Sequence, residues 1–125
     1  MRLLLDTHLF LWLVDDSRKL KPAVRRTIES ASEVFVSAAS LWEIAIKARL
    51  GKLDADPGAL AEAIEPSGCA ELPVTALHAA RVAGLAPHHE DPFDRMLVAQ
   101  ALCEPLILLT ADEQLARYGD FVKCV

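Results

Sequence analysis

The sequence predicts an α/β fold with three layers, in which helices cover both faces of a central parallel sheet. Short apolar runs at 3–5, 34–36 and 106–109 are continuously hydrophobic, as strands buried on both faces are. The intervening segments carry apolar residues at helical spacing, and strands that alternate with helices are typical of a parallel sheet. The length of 125 residues fits a single domain spanning 1–125.

Turn and capping residues set the limits of the remaining elements. Pro22, Pro57 and Pro92 suit the first turn of a helix, where the missing N–H has no intrahelical partner to lose. Gly51 is placed to end the third helix. In chain order we predict a strand at 3–5, helices at 9–14 and 22–31, a strand at 34–36, helices at 40–50 and 57–64, a strand at 70–72, helices at 75–84 and 92–102, a strand at 106–109, a short helix at 111–117 and an edge strand at 121–124.

Composition excludes several classes of protein. With 13 basic and 18 acidic residues, the formal charge of −5 argues against a protein that holds nucleic acid by bulk positive charge. It does not exclude nucleic acid as a substrate, because bound cations neutralise clustered carboxylates. The three cysteines show no zinc-site spacing or disulfide pattern, so we expect reduced thiols. No apolar run approaches the ~20 residues that span a bilayer, and we expect a soluble, cytoplasmic protein.

Acidic residues recur where a predicted strand gives way to a helix. The four are Asp6, Glu43, Asp94 and Asp112. Asp6 directly follows the first strand, and each of the others falls within the first turn of a predicted helix. Right-handed crossovers place the carboxyl ends of parallel strands along one edge of the sheet, so we expect the four side chains to meet there.

Helix capping is the alternative explanation for these acids. Ser40 with Glu43, and Thr110 with Glu113, match the capping box, and Asp91 before Pro92 resembles an N-cap. Capping does not explain why nearly every strand-to-helix junction carries an acid. Clustered carboxylates repel one another unless a cation neutralises them, and ligands that are all oxygen favour Mg²⁺ or Mn²⁺. Such a site activates water for phosphodiester cleavage.

Neighbouring polar residues could support the acids. Thr7 and Ser37 could orient a carboxylate or bind a water ligand, and Thr110 could do the same, although capping its helix is the favoured role. Lys47 lies four residues after Glu43, at the spacing of a helical ion pair, and close enough to the edge to meet an RNA phosphate.

Four further residues are interpreted as structural. Trp12 and Trp42 are expected in the core or at an interface rather than as platforms for nucleobases. His88 and His89 lie in the loop before Asp91 and could take part in proton transfer, but we expect exposed loop residues, and metal-dependent chemistry needs no histidine base here.

Four segments together resemble PIN-domain ribonucleases of the VapC toxin type. They are LLLDTHLFLW, VSAASLWEIAIKARLGKL, HHEDPFDRMLVAQA and LILLTADEQLARYG, which occur in this order over nearly the whole chain. The resemblance implies a PIN-like nuclease domain with a three-layer α/β/α fold and Mg²⁺- or Mn²⁺-dependent endoribonuclease activity. It also implies a VapB-type antitoxin as partner and a homodimeric toxin.

The resemblance also assigns the site. The family's acidic ligands fall on Asp6, Glu43, Asp94 and Asp112, which would serve both metal binding and catalysis. The family pattern favours Asp94 over Asp91, although Asp91 could contribute through a water. Arg95 could face a substrate phosphate or an ion-pair partner. Apolar residues of the first and third helices are a hypothetical docking groove for the antitoxin, namely Leu9, Trp12 and Trp42.

Rival functions differ in their motifs. A receiver-type phosphoacceptor module needs an acidic pair after the first strand, where this chain has only Asp6. A haloacid-dehalogenase-type phosphatase needs D-x-D there, and His8 occupies the second position. A nuclease acting on DNA would have the same metal site, but no duplex-binding element is visible. A non-enzymatic interaction protein predicts no dependence on Asp6 or on divalent ions.

Overall fold

Five parallel strands form one sheet in the order β3-β2-β1-β4-β5. The structure is a computed structural model that describes residues 1–125. The strands are β1 (Arg2–Leu5), β2 (Glu33–Ser37), β3 (Ala70–Leu72), β4 (Ile107–Thr110) and β5 (Val122–Cys124). All four neighbouring pairs are parallel, which confirms the predicted sheet.

Six α-helices and one 3₁₀ helix connect the strands. They are α1 (Thr7–Val14), α2 (Pro22–Ser30), α3 (Ala38–Arg49), α4 (Pro57–Ala63), α5 (Ala76–Val82), α6 (Pro92–Cys103) and a 3₁₀ helix at Glu113–Tyr118. Pro22, Pro57 and Pro92 each begin a helix, as predicted. Gly51 follows the end of α3 with a φ of 71°, a conformation that glycine adopts without strain. None of the helices is both long and apolar enough to cross a membrane.

The sheet is buried on both faces, so the three-layer prediction is confirmed. Successive side chains of β1 point to opposite sides. Leu3 and Leu5 pack in a cluster with residues of α1, α2, α3 and α4. Leu4 packs in a second cluster with α6 and the 3₁₀ helix. All three leucines are fully buried, so neither face of the sheet is left to solvent.

The strand order places a crevice between β1 and β4. The chain runs from β1 outward through β2 to β3, and then crosses to the other side of β1 to form β4. At such a reversal the connections leave the two central strands in opposite directions, and the space beyond their carboxyl ends is the usual ligand site. The order also differs from the 2-1-3-4-5 order of flavodoxin-like folds, to which receiver modules belong.

Candidate functional site

Asp6 joins the carboxyl ends of β1 and β4. It is the N-cap of α1, and its Oδ1 accepts a hydrogen bond from the Leu9 amide at 2.8 Å. Its Oδ2 accepts from Thr110 Oγ1 at 2.6 Å and from the Ala111 amide at 3.3 Å. Burial raises the pKa of Asp6, while these three donors act in the opposite direction. The carboxylate is therefore fixed across the crevice, and its remaining lone pairs can still bind a ligand.

Asp112 lies on the other side of the crevice and contacts a histidine. It caps the 3₁₀ helix, where its Oδ1 accepts from the Gln114 amide at 2.9 Å. Its Oδ2 lies 2.8 Å from His89 Nε2, which is also 3.5 Å from Asp94 Oδ2. The side chain of His89 is only 12% exposed, so the prediction of an exposed loop residue is wrong. Sequence reasoning missed this contact, and the only available signal was the position two residues before the Asp91 N-cap.

Asp94 is the acid that the chain itself satisfies least. It lies in the first turn of α6, after Asp91, whose Oδ1 accepts from the amides of Phe93 and Asp94. The carboxylate of Asp94 accepts no hydrogen bond within the normal distance. Burial, followed by the negative charge of Asp91, raises the pKa of Asp94 to about 7. The negative charges of Glu43 and Asp6 add to this effect. A bound cation would supply the missing stabilisation.

Glu43 is buried beside the crevice with both oxygens engaged. Its Oε1 accepts from Thr7 Oγ1 at 2.7 Å, and its Oε2 forms an ion pair with Lys47. The hydrogen bond to Glu43 is the main reason that the pKa of Lys47 is raised. Because Ser37 caps α3, Glu43 lies in the second turn rather than the first. The predicted capping box of Ser40 and Glu43 is therefore wrong.

The crevice opens into a cleft of about 670 Å³. Its lining residues are Asp6, His8, Trp12, Asp94, Ala111, Asp112, Glu113 and Gln114. Three of the four predicted acids line this cleft, and the fourth, Glu43, is close enough for its charge to act on Asp94. From Asp6 to Asp112 these acids are separated by more than a hundred residues of sequence. Folding, and not proximity in the chain, brings them together.

Two supporting residues differ from their predicted roles. Thr110 donates to Asp6 and accepts from the Asp112 amide at 3.0 Å, whereas Asp112 caps the 3₁₀ helix. The favoured prediction of Thr110 as a cap is therefore wrong. Ser37 Oγ accepts from the Ala39 amide and forms no hydrogen bond with a carboxylate. The prediction that Ser37 orients an acid is also wrong, because α3 begins directly after it.

Arg95 holds a loop rather than an acidic partner. Its guanidinium donates to the carbonyl oxygens of Val82 and Ala86 at 3.2 and 3.0 Å, and to Tyr118 Oη at 3.1 Å. A longer bond reaches the His89 carbonyl at 3.4 Å. Arg95 forms no salt bridge, so the predicted ion pair is wrong, and these bonds leave the guanidinium committed instead of facing a phosphate.

The predicted apolar groove is divided by the fold. Leu9 is 1% exposed and belongs to the core, so its predicted place in a docking groove is wrong. Trp12 is half-buried and lines the acidic cleft. Trp42 is 63% exposed, packs edge-on against Phe93 and lines a separate apolar cavity of about 470 Å³.

Comparison with known protein families identifies the domain. The sequence matches the family model of the PIN domain over residues 3–120. The chain belongs to the PIN domain family. PIN domains form a family of nucleases, so the family match supports nuclease activity for this chain.

Solved structures with the same fold include two toxin–antitoxin systems. VapBC2 from Rickettsia felis, bound to a DNA fragment from its promoter, matches with a TM-score of 0.70 and 13% identity, over 100% of this PIN domain and 98% of that chain. A toxin–antitoxin complex from Klebsiella pneumoniae matches with a TM-score of 0.67 and 18% identity, over 96% and 94%. No curated protein matches the sequence significantly.

The donor set of this PIN domain fits a hard divalent cation. Single ligand atoms of His89, Asp94 and Asp112 lie within 4.8 Å of one another, and Asp6 lines the same cleft. Carboxylate oxygens dominate the set, and one of them, on Asp94, has no donor in the chain. Mg²⁺ and Mn²⁺ suit such ligands.

Proposed function

We propose that this PIN domain is a Mg²⁺- or Mn²⁺-dependent endoribonuclease, the VapC-type toxin of a type II toxin–antitoxin pair. Asp6, Glu43, Asp94 and Asp112 would be its metal-binding and catalytic residues. The observation that carries this proposal is Asp94, a partly buried carboxylate without a hydrogen-bond donor, beside two other acids in one cleft. Burying such charges together is costly unless a cation joins them.

The chain contributes by holding the carboxylates in place. Thr110 fixes Asp6, and Thr7 fixes Glu43, so neither acid has to be ordered when a ligand arrives. A bound cation would activate a water molecule and stabilise the leaving oxygen of a phosphodiester. Asp91 would act only indirectly, since its Oδ1 caps α6 and its charge affects Asp94.

Lys47 is the candidate for contact with the RNA backbone. Its side chain is 38% exposed, and its charge is directed toward Glu43, next to the cleft. Release of Lys47 from Glu43 would free a cation for a phosphate and a carboxylate oxygen for the metal. RNA rather than DNA is proposed as the substrate from the sequence resemblance. The fold described above includes no duplex-binding element such as a helix-turn-helix.

The antitoxin would dock on the apolar cavity that contains Trp42. This cavity lies between α3, α5 and α6, and eight of its nine lining residues are hydrophobic. Both structural relatives described above are toxin–antitoxin systems. The proposed partner is a VapB-type antitoxin, and the proposed location is the cytoplasm. In the absence of the antitoxin the toxin is proposed to be a homodimer, and sedimentation analysis of the purified toxin would test this oligomeric state. A folded Trp42→Ala variant that binds the antitoxin as tightly as wild type would remove this surface from the interface.

RNA cleavage by the purified protein tests the proposed activity. We expect cleavage of single-stranded RNA with Mg²⁺ or Mn²⁺, none in EDTA, and none by Asp6→Asn under any condition. Glu62→Gln is the matched control, because Glu62 is an exposed acid on α4 and its loss changes the net charge equally. Sequencing the RNA ends would define the cleavage site. Cleavage that persists in EDTA would contradict the metal-dependent mechanism, and cleavage of DNA alone would contradict the assignment to RNA.

A further inference from the structure

His89 touches two of the carboxylates and is not among the residues proposed above to bind the metal or to catalyse. We propose that His89 is a positioning residue, a neutral hydrogen-bond donor that holds Asp112 in place and stays outside the coordination sphere of the cation. This inference rests on the proposed metal-dependent function. It departs from the simplest reading of the cluster, in which His89, Asp94 and Asp112 would all bind the metal directly.

The hydrogen bonds of the imidazole ring decide between the two roles. The Asp91 amide donates to His89 Nδ1 at 3.0 Å. A backbone amide can only donate, so Nδ1 must be the unprotonated nitrogen of the ring. In the neutral imidazole the proton is then on Nε2, which points at Asp112 Oδ2 at 2.8 Å. A protonated Nε2 donates to a carboxylate and cannot bind a metal.

The backbone on both sides of His89 is fixed, which makes this ring orientation the stable one. Asp91 is the N-cap of α6, so its amide occupies a set position at the start of that helix. Arg95, one turn into α6, donates to the carbonyls of His89 and Ala86. Direct metal binding through Nε2 would need the tautomer that carries its proton on Nδ1. That Nδ1–H would face the N–H of Asp91, and the hydrogen bond from the Asp91 amide would be lost.

The donor role has a consequence for the choice of metal. Nε2–H stabilises negative charge on Asp112 and lies near Asp94, so it brings together two acids that otherwise repel each other. The cation then meets oxygen ligands only, which favours Mg²⁺ and Mn²⁺ over metals that prefer nitrogen. Partners that orient a ligand in this way typically contribute about 10–100-fold to metal affinity.

Binding of Mn²⁺ to the full-length protein tests the proposal without relying on activity. Affinity would be measured from the electron paramagnetic resonance signal of free Mn²⁺. We expect His89→Ala to bind about 10–100-fold more weakly than wild type, and His89→Gln, whose amide can still donate, to restore most of the loss. The matched control is His88→Ala. His88 is the neighbouring histidine of the same loop, and its ring packs edge-on against Tyr118.

Two spectroscopic measurements separate the donor from a ligand. Nitrogen NMR of metal-free protein should show His89 as the neutral ring protonated on Nε2. Pulsed paramagnetic resonance of the Mn²⁺ complex should show no directly bound imidazole nitrogen. A nitrogen bound to Mn²⁺, a ring protonated on Nδ1, or unchanged Mn²⁺ affinity in His89→Ala would each overturn the inference while leaving the proposed function standing. Wild-type protein that binds no Mn²⁺ would refute the proposed function as well.

Discussion

Replacement of Asp94 by asparagine should make the metal-free protein more stable while removing its ability to bind a cation. In the absence of metal this carboxylate is partly buried, has no hydrogen-bond donor and lies beside other negative charges. Asparagine keeps the shape of the side chain but carries no charge. A residue that is placed for the stability of the fold would give the opposite result, because its replacement would destabilise the protein.

The size of the effect follows from the raised pKa. The pKa of Asp94 is about 7 in the folded chain, against the ordinary value of 3.8. Between these two pH values the folded state binds more protons than the unfolded state, so stability falls as pH rises through this window. The full difference corresponds to about 4 kcal/mol, at about 1.4 kcal/mol for each tenfold change. Because the side chain is 23% exposed, we expect about 1–2 kcal/mol after solvent screening.

Thermal unfolding in EDTA measures this difference. For a chain of this size, about 1–2 kcal/mol corresponds to a rise in Tm of about 4–8 °C. The advantage of Asp94→Asn over wild type should be small near pH 4, grow up to pH 7 and remain constant at pH 8. Asp6, whose pKa is also raised, is present in both proteins and largely cancels.

Mn²⁺ should reverse the order of stability. At a concentration about 100 times the dissociation constant, it should stabilise wild type by about 2.7 kcal/mol and leave Asp94→Asn unchanged. Glu62→Gln, which replaces an exposed acid on α4, should behave as wild type does, with no gain in stability in EDTA and the same stabilisation by Mn²⁺. If Asp94→Asn were less stable than wild type in EDTA at pH 8, or were stabilised by Mn²⁺ to the same extent, the reasoning would be refuted.

Three further substitutions test the surroundings of the site. Thr110→Val removes the donor to Asp6, so we expect a loss of about 1–3 kcal/mol in unfolding free energy together with weaker Mn²⁺ binding; unchanged binding would exclude the orienting role. Arg95→Met removes the guanidinium that donates to the carbonyls of Val82 and Ala86 in the loop at 82–89. We expect faster amide hydrogen exchange in that loop. Exchange as slow as in wild type would contradict the role of Arg95 in holding it. Gly51→Ala should cost about 1–2 kcal/mol of unfolding free energy, because φ is 71° there, and Mn²⁺ affinity should stay normal; a loss of affinity would mean that destabilisation alone weakens the site.

Strand positions could be predicted from the sequence because they depend on local hydrophobicity. The runs that became β1, β2 and β4 are continuously apolar, and a parallel sheet buried on both faces requires this pattern. The edge on which Asp6 and Asp112 meet followed from the handedness of the crossovers. Strand order, which places β1 between β2 and β4, was not encoded in any local pattern.

Contacts of individual side chains were harder to predict, since they depend on residues distant in the chain. The sequence predicted Ser40 as part of a capping box, whereas Ser37 is the N-cap of α3 in the structure. Two serines three residues apart are equally good caps in isolation. The contact of His89 with Asp112 joins a loop to the end of a strand 23 residues later. The loop position of His89 predicted an exposed side chain, whereas in the structure Arg95 donates to the carbonyls of Ala86 and His89 and the ring contacts Asp112.

Anomalous diffraction from crystals grown with Mn²⁺ tests the central claim most directly. We expect an anomalous peak in the cleft, within direct coordination distance of oxygens of Asp6, Asp94 and Asp112, and no such peak in crystals of Asp94→Asn. A peak elsewhere on the surface, or none in the wild-type cleft at saturating Mn²⁺, would contradict the account that these carboxylates are gathered to bind a cation.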